Sequence, residues 1–268
     1  MSLAKLGLLN VFVLVMLWKF AKGFVQRPNG ASIRTLMSRS SMQRKPALLR
    51  MNGIVNFYDV SEGELKAVMK EWKQPSFRVD QIRKYVYDQG VTEFKDMNTL
   101  PKALREKLSS LYTVGTLKLA SEQISKKDGT RKRAYALHDN QLIESVLMNY
   151  DDGRYTACIS SQAGCAMGCV FCATGQMGFF RQLSSAEIFE QAQKFSAELK
   201  SDERLEVDEQ EIRGARDSTR QKRLSNVVFM GMGEPLANYN NVMEAARRIN
   251  KELGIGARHI TISTVGLR

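Results

Sequence analysis

The chain has 268 residues, of which 43% are hydrophobic, and its formal net charge is +12. This length fits one large domain or two of ordinary size, and the apolar content suffices for a sizeable core. Residues 1–58 contain nine basic residues and no acidic residue, which leaves 31 basic against 28 acidic residues in the rest of the chain. Most of the net positive charge therefore lies in the N-terminal segment. For this reason the overall charge does not indicate nucleic-acid binding by the rest of the chain.

Residues 1–52 have the composition of a disordered targeting leader. Lys5 precedes an apolar run, residues 6–18, whose length suits a signal-peptide core and is short for a membrane span. An acid-free stretch rich in Arg and Ser follows, which is typical of an organellar transit peptide. We therefore expect delivery to an organelle, with a plastid favoured and a mitochondrion as the alternative. A single membrane anchor is the competing interpretation, and the protein is cytoplasmic if the leader is not a signal.

Three helices are predicted between residues 53 and 120, where they form a small accessory domain. Ser61 and Glu64 have the spacing of a capping box in front of the first helix. The second helix, about residues 77–88, should bury Phe77, Ile82 and Val86 and end at Gly90. The third begins near Pro101.

Residues 121–268 alternate between strand and helix patterns. A hairpin turn is predicted at Asp139-Asn140, followed by strands at 155–160, 226–231 and 259–264 with a helix between each pair. The helix after the first of these strands begins with a capping box, Ser184 to Glu187. The charge-dense run 198–223 predicts a disordered insertion. Strands alternating with helices predict a parallel sheet with right-handed crossovers.

All four cysteines lie close together, and three of them form a C-x3-C-x2-C run at Cys165, Cys169 and Cys172. Several thiolates in one short segment suit a soft metal centre. A structural zinc site usually has four ligands in two pairs, so a zinc-binding module is a minor alternative. Three ligands instead suit an iron–sulfur cluster with one iron open to an outside ligand.

Three motifs occur in order along the chain: the cysteine run with Phe171 before its last cysteine, GMGEPLANYNNV at 231–242, and ITISTVGL at 260–267. Together they resemble the RlmN/Cfr group of radical S-adenosylmethionine (SAM) RNA adenine methyltransferases. The resemblance covers roughly residues 75–268. It implies an α/β fold, the first half of a radical SAM partial (βα)6 barrel preceded by a small helical accessory domain. The segment FRVDQIRKYVYDQG, residues 77–90, resembles the start of that RNA-binding domain, and its Arg78, Arg83 and Lys84 suit phosphate contacts or a solvated helix face.

The resemblance also implies two cofactors. Cys165, Cys169 and Cys172 would hold a 4Fe–4S cluster, and Gly233, Glu234 and Ser263 would contact SAM. Without the resemblance, the glycine-rich turn at 231–233 is an ordinary loop between a strand and a helix.

The implied activity is methyl transfer to C2 of an adenine in large-subunit ribosomal RNA, with transfer RNA as a further candidate. Glu144 would be the proton acceptor. Cys158 would release the protein–RNA adduct by forming a disulfide with a methyl-carrying cysteine near the C-terminus. The expected partners are the RNA and an electron donor such as flavodoxin or ferredoxin, with no stable membrane partner and a monomeric state.

The sequence contains no fifth cysteine to serve as the methyl carrier. We therefore expect the chain to be a truncated version of such an enzyme and, as it stands, to transfer no methyl group. Two alternatives remain open at this point. One is Cfr-like methylation at adenine C8, and the other is a non-catalytic iron–sulfur or RNA-binding remnant.

Overall fold

A computed structural model describes residues 54–201 and 222–267 of the chain. Three helices follow one another in the first part of these residues. Helix α1, Glu62–Glu71, begins at the predicted capping box, in which Ser61 and Glu64 each accept a hydrogen bond from the other's backbone N–H. Helix α2, Phe77–Arg83, continues as a π-helical turn over Lys84–Asp88, and α3 is Lys102–Leu111. Two short strands, β1 (Val55–Asn56) and β2 (Tyr112–Thr113), pair in parallel beside these helices.

The second helix differs from the prediction in which side chains it buries. Ile82 and Val86 are buried as expected, but Phe77 is 51% exposed and Val79 is buried in its place. Phe77 is the first residue of α2, and the Arg78 guanidinium lies over its ring at 5.0 Å. Residues 79, 82 and 86 keep the helical spacing, so the apolar stripe is shifted toward the interior of the helix.

The central element is a six-stranded sheet with the strand order β10-β9-β6-β5-β4-β3. The strands are β3 (Lys118–Ile124), β4 (Arg131–Ala136), β5 (Leu142–Asn149), β6 (Tyr155–Cys158), β9 (Leu224–Phe229) and β10 (Ile260–Ile262). Between β6 and β9 lie β7 (Gln162–Gly164), helix α4 (Ala173–Met177), β8 (Phe179–Gln182) and helix α5 (Ser185–Lys200). Helix α6, Tyr239–Leu253, connects β9 to β10 and ends at Gly254 in the left-handed conformation.

The parallel part of the sheet matches the prediction. Strand β9 pairs in parallel with both β6 and β10, and helices α5 and α6 form the crossovers. The hairpin at Asp139-Asn140 joins antiparallel β4 and β5, and Asn140 has a positive φ of 62°. Strand β3 was not predicted. All seven of its residues are exposed. Its sequence, KLASEQI, has no apolar alternation of the kind that indicates a half-buried strand.

Helix α5 packs against the helical segment, so the two parts share one hydrophobic core. The Phe189 ring contacts the rings of Tyr58 and Tyr87 at centroid distances of 5.2 and 5.9 Å. The buried Glu190 carboxylate accepts backbone N–H bonds from Thr116 at 2.7 Å and Leu117 at 3.0 Å. Burial raises the pKa of Glu190 even though these bonds and Lys194 oppose the shift.

Two predictions concern parts of the chain outside the described residues. The leader, 1–52, lies outside them entirely, and so does most of the insertion predicted at 198–223. Residues 198–200 belong to the last turn of α5, where Glu198 pairs with Arg131 and Arg133. Among residues 54–201 and 222–267, no helix has the length and apolar character needed to cross a membrane.

Candidate active site

The three segments singled out by sequence meet at one edge of the sheet. The cysteines follow β6, residues 231–234 follow β9 and Ser263 follows β10, and these strands are mutually parallel. The carboxyl ends of parallel strands lie at the same edge, where α/β proteins bind their ligands. Direct contacts confirm the meeting, because Ser161 N–H donates to Met232 O at 2.8 Å and Val265 N–H donates to a Glu234 carboxylate oxygen at 3.0 Å.

The cysteine hairpin, residues 162–182, carries the three thiols between antiparallel strands β7 and β8. Its base is closed by a bond from Cys165 N–H to Gly178 O at 2.8 Å, and Cys172 N–H donates to Cys169 O at 3.0 Å. All three cysteines are half-buried and free of disulfides. Burial raises the pKa of the Cys169 thiol, and the proximity of Cys165, Cys172 and Glu234 raises it further. The hairpin thus brings the three sulfurs within electrostatic reach of one another.

The chemistry of this donor set fits an iron–sulfur cluster. The hairpin contributes three thiols and no histidine, which are the soft ligands such a cluster requires. In the part of the chain that the structure describes, no three Cys, His, Asp or Glu side chains already form a metal-binding group. The hairpin therefore provides the ligands on one short segment, and their convergence on a cluster remains a prediction.

The GMGEPLAN segment, residues 231–238, lies directly against residues 159–162. A Cβ atom on Gly231 would lie 2.7 Å from Ser160 Oγ and 2.8 Å from the Ile159 carbonyl, and one on Gly233 would lie 2.5 Å from Gln162 Cβ. Gly233 also has a φ of +100°. The two glycines therefore allow the backbone of residues 231–233 to lie close to residues 159–162. This packing role is separate from the SAM contact predicted for Gly233.

Glu234 is 4% exposed, and its carboxylate already has partners within the protein. One oxygen accepts from Leu236 N–H at 2.9 Å and from the Thr264 hydroxyl at 2.5 Å, and the other accepts from Val265 N–H. Glu234 thus ties the loop after β9 to the loop after β10. Thr264, which sequence reasoning missed, is the partner side chain, whereas the neighbouring Ser263 is exposed at the same edge.

The two predicted catalytic residues lie on one face of the sheet. Cys158 on β6 pairs with Val146 on β5, two positions from Glu144, so the side chains of Glu144 and Cys158 are diagonal neighbours. The Glu144 carboxylate is 47% exposed and pairs with Lys132 Nζ at 2.8 Å. Burial raises the pKa of the Cys158 thiol to about 11, so this thiol is protonated near neutral pH. The structure thus brings these two residues together on neighbouring strands of the sheet.

The basic side chains of α2 are mostly committed to contacts within the protein. Arg83 pairs with Glu252 at 2.5 Å, and Arg78 donates to Gln81 and to Thr99 O. Lys84 alone of the three is exposed. Arg83 is therefore less available for a phosphate contact than Lys84, because its guanidinium pairs with a residue 169 positions away.

Arg181, next to the end of β8, organises a cluster of charges beside a cavity of about 390 Å³. Its guanidinium donates to both carboxylate oxygens of Glu187 at 2.8 Å and to Asp139 at 2.5 Å. Burial raises the pKa of Glu187, but these bonds and the N–H of Ser184 outweigh it and hold the pKa below its usual value. This group of charged side chains fixes β8, the second strand of the cysteine hairpin, to the start of α5.

Comparisons with known proteins cover both the helical segment and the sheet. Residues 55–114 match the ribosomal RNA large subunit methyltransferase N-terminal domain, and residues 159–268 match the radical SAM superfamily. A protein from Chloroflexus aurantiacus named "Probable dual-specificity RNA methyltransferase RlmN" is 42% identical over 212 residues, covering 78% of this chain and 52% of that protein. A protein of the same name from Mycolicibacterium vanbaalenii is 45% identical over 217 residues, covering 79% of this chain and 54% of that protein.

One solved structure gives the same picture for the fold. The crystal structure of a radical SAM methyltransferase from Sphaerobacter thermophilus superposes with a TM-score of 0.66 at 36% identity, covering 80% of this chain and 57% of that one. This similarity confirms the predicted fold class. The chain spans about half the length of the curated relatives it matches.

Proposed function

Because the chain belongs to the RlmN family of radical SAM proteins, we propose that the protein methylates C2 of an adenine in large-subunit ribosomal RNA, with transfer RNA as a second substrate. Membership of the radical SAM superfamily implies a 4Fe–4S cluster and SAM as cofactors. The observation that carries the proposal is the meeting of the cysteine hairpin with the GMGEPLAN segment. Gln162 N–H donates to Met232 O at 3.2 Å and Gln162 Oε1 accepts from Glu234 N–H at 2.8 Å, at the carboxyl edge of the parallel strands.

The residues of this chain have separate tasks in the proposed reaction. Cys165, Cys169 and Cys172 hold the cluster, which when bound supplies the electron that cleaves SAM. Gly233, Glu234 and Ser263 bind SAM at the same edge. Glu144 accepts a proton on the exposed face of the sheet, where its carboxylate pairs with Lys132 Nζ at 2.8 Å.

Methyl transfer itself needs a thiol that these 268 residues do not supply. Cys165, Cys169 and Cys172 are cluster ligands, and Cys158 is proposed to release the product, so no cysteine is left to carry the methyl group. We propose that these residues bind the cluster and cleave SAM, and that methyl transfer requires a carrier thiol in addition to the four cysteines present here.

The test is anaerobic reconstitution of the 268-residue chain with iron and sulfide. We expect brown protein with absorbance near 400 nm, and formation of 5′-deoxyadenosine when SAM and a reductant are added. Mass spectrometry of RNA treated with a longer, cysteine-containing version should find 2-methyladenine. Modification at C8 would instead support the Cfr-like alternative, and an intact cluster that never cleaves SAM would support a non-catalytic remnant. Colourless protein that retains zinc would contradict the proposal.

We further propose that residues 1–52 direct the protein to an organelle, and to a plastid in preference to a mitochondrion. The support is compositional, since an apolar run is followed by an acid-free stretch rich in Arg and Ser. A fluorescent protein carrying this leader should accumulate in plastids. Diffuse cytoplasmic fluorescence would contradict the targeting proposal.

A further inference from the structure

A pair of glutamines joins the cysteine hairpin to the GMGEPLAN segment. Gln162 and Gln182 are register partners on β7 and β8, so they flank the three cysteines and project from the same face of the hairpin. Gln162 Oε1 accepts from Glu234 N–H at 2.8 Å, and Gln162 Nε2 donates to Gln182 Oε1 at 2.9 Å. Gln182 Nε2 then donates to Ala237 O at 2.9 Å. A continuous hydrogen-bonded bridge therefore runs from Glu234 through both hairpin strands to Ala237.

The backbone at the two ends fixes the orientation of both amides. Glu234 N–H can only donate, so the Gln162 oxygen must face it, and Gln162 Nε2 must point toward Gln182. Ala237 C=O can only accept, so Gln182 Nε2 must face it. The two requirements are compatible only when both side chains are amides in these orientations. A carboxylate or an apolar side chain at either position breaks the bridge.

The bridge leaves little room for the two segments to move apart. Gln162 is 1% exposed, so water does not compete for its hydrogen bonds. Gly233 packs against its Cβ and Cγ so closely that an added Cβ would lie 2.5 and 2.6 Å from them. Asn238 adds a second attachment, because its Nδ2 donates to Ser161 O and to Leu183 O, both at 2.8 Å.

We propose that Gln162 and Gln182 are positioning residues that hold the cluster-bearing hairpin at a fixed distance from the SAM-binding segment. This inference rests on the proposed function, since it assigns the cluster to the hairpin and SAM to Gly233 and Glu234. The three cysteines would hold the cluster and Gly233 and Glu234 would hold SAM, so electron transfer from one to the other would require the two segments to keep a set separation. A fixed separation between the two segments meets that requirement before SAM binds, which lowers the cost of binding.

The experiment compares Gln162→Met and Gln182→Met with Gln193→Met as a matched control. Gln193 is also a buried glutamine, and its Nε2 donates to Val86 O and Tyr87 O, away from the site. Hydrogen exchange of residues 231–238 reports the bridge without any cofactor. Iron content, the SAM dissociation constant and the SAM-induced change in the EPR spectrum of the reduced cluster report its consequence.

For Gln162→Met we expect exchange of the 231–238 segment to accelerate about tenfold, as the loss of a neutral hydrogen bond predicts. Iron content should equal that of the unsubstituted chain, and SAM should bind about tenfold more weakly with a smaller EPR change. Gln182→Met, which keeps the bond to Glu234, should show a smaller effect, and Gln193→Met none at this segment.

Unchanged exchange at 231–238 in Gln162→Met would overturn the proposal, because the bridge would then not hold the segment. SAM binding that weakens no more in Gln162→Met than in Gln193→Met would overturn it as well, since the bridge would then serve stability alone. A reconstituted chain without substitutions that gives no EPR response to SAM would instead refute the proposed function. The two failures are therefore distinguishable.

Discussion

Replacing Gly233 with alanine should cost more stability than its backbone conformation alone explains. Its φ of +100° is unfavourable for an L-residue, which costs about 1–3 kcal/mol. The new Cβ would also lie 2.5 Å from Gln162 Cβ and 2.8 Å from Gln162 N. Neither of those atoms moves when the glutamine changes rotamer, so the overlap is relieved only by moving backbone.

The magnitude of that second cost follows from the required displacement. Overpacking of this kind typically costs about 1–3 kcal/mol, which brings the total for Gly233→Ala to about 2–6 kcal/mol. Gly153 provides the control, because its φ is +82° and an added Cβ would have no heavy atom within 4 Å. Gly153→Ala should therefore show the conformational cost without the steric one.

Urea unfolding of the two variants and the unsubstituted chain measures both terms. We expect Gly233→Ala to lose about 1–3 kcal/mol more than Gly153→Ala, and only Gly233→Ala to lose affinity for SAM in the reconstituted protein. Equal losses of unfolding free energy with equal SAM binding would refute the reasoning, because the close approach of Gly233 to Gln162 would then have no energetic effect.

Three further predictions concern individual side chains. Glu187 has a lowered pKa in the folded protein, so its contribution to the free energy of unfolding is present above the ordinary glutamate pKa and is lost as the pH falls through the lowered value. Glu187→Gln should therefore make the free energy of unfolding in urea less dependent on pH between about pH 6 and 3. Thr264→Val removes the hydroxyl that donates to Glu234 and should weaken SAM binding several-fold at unchanged iron content, whereas unchanged SAM binding would contradict the link. Cys158→Ala should retain the iron that Cys169→Ala loses, because Cys158 lies on β6, outside the hairpin that carries the three predicted ligands; iron loss in both would show that Cys158 is a ligand.

Local sequence signals predicted the elements of this fold well. The capping boxes at Ser61 and Ser184 are present, and the crossover helices lie where apolar residues recur at helical spacing. These signals work because a cap or an apolar stripe depends on residues within a few positions of one another. Strand β3 was missed because an exposed edge strand needs no apolar alternation, and its sequence carries none.

The site could be predicted only as a set of ligand types. The cysteine spacing indicated the cluster, but the partners that hold the site together are far apart in sequence. Gln162 meets Glu234 across 72 positions, and Thr264 meets Glu234 across 30. Similarly, nothing near Arg83 indicated that Glu252 would neutralise it. Pairings of this kind are set by strand order and helix packing, which single-sequence patterns do not specify.

The hydrogen bonds of Glu234 limit how it could contact SAM in the proposed role. A carboxylate offers about four acceptor positions, and three are occupied here by Leu236, Thr264 and Val265. The remaining position lies on the oxygen that Val265 contacts, so an ammonium group of SAM would have to approach beside that backbone N–H. The carboxylate is thereby aimed by its protein partners before any ligand arrives. Loss of one partner would leave the charge in place and change its direction, which is why we predict that Thr264→Val weakens SAM binding.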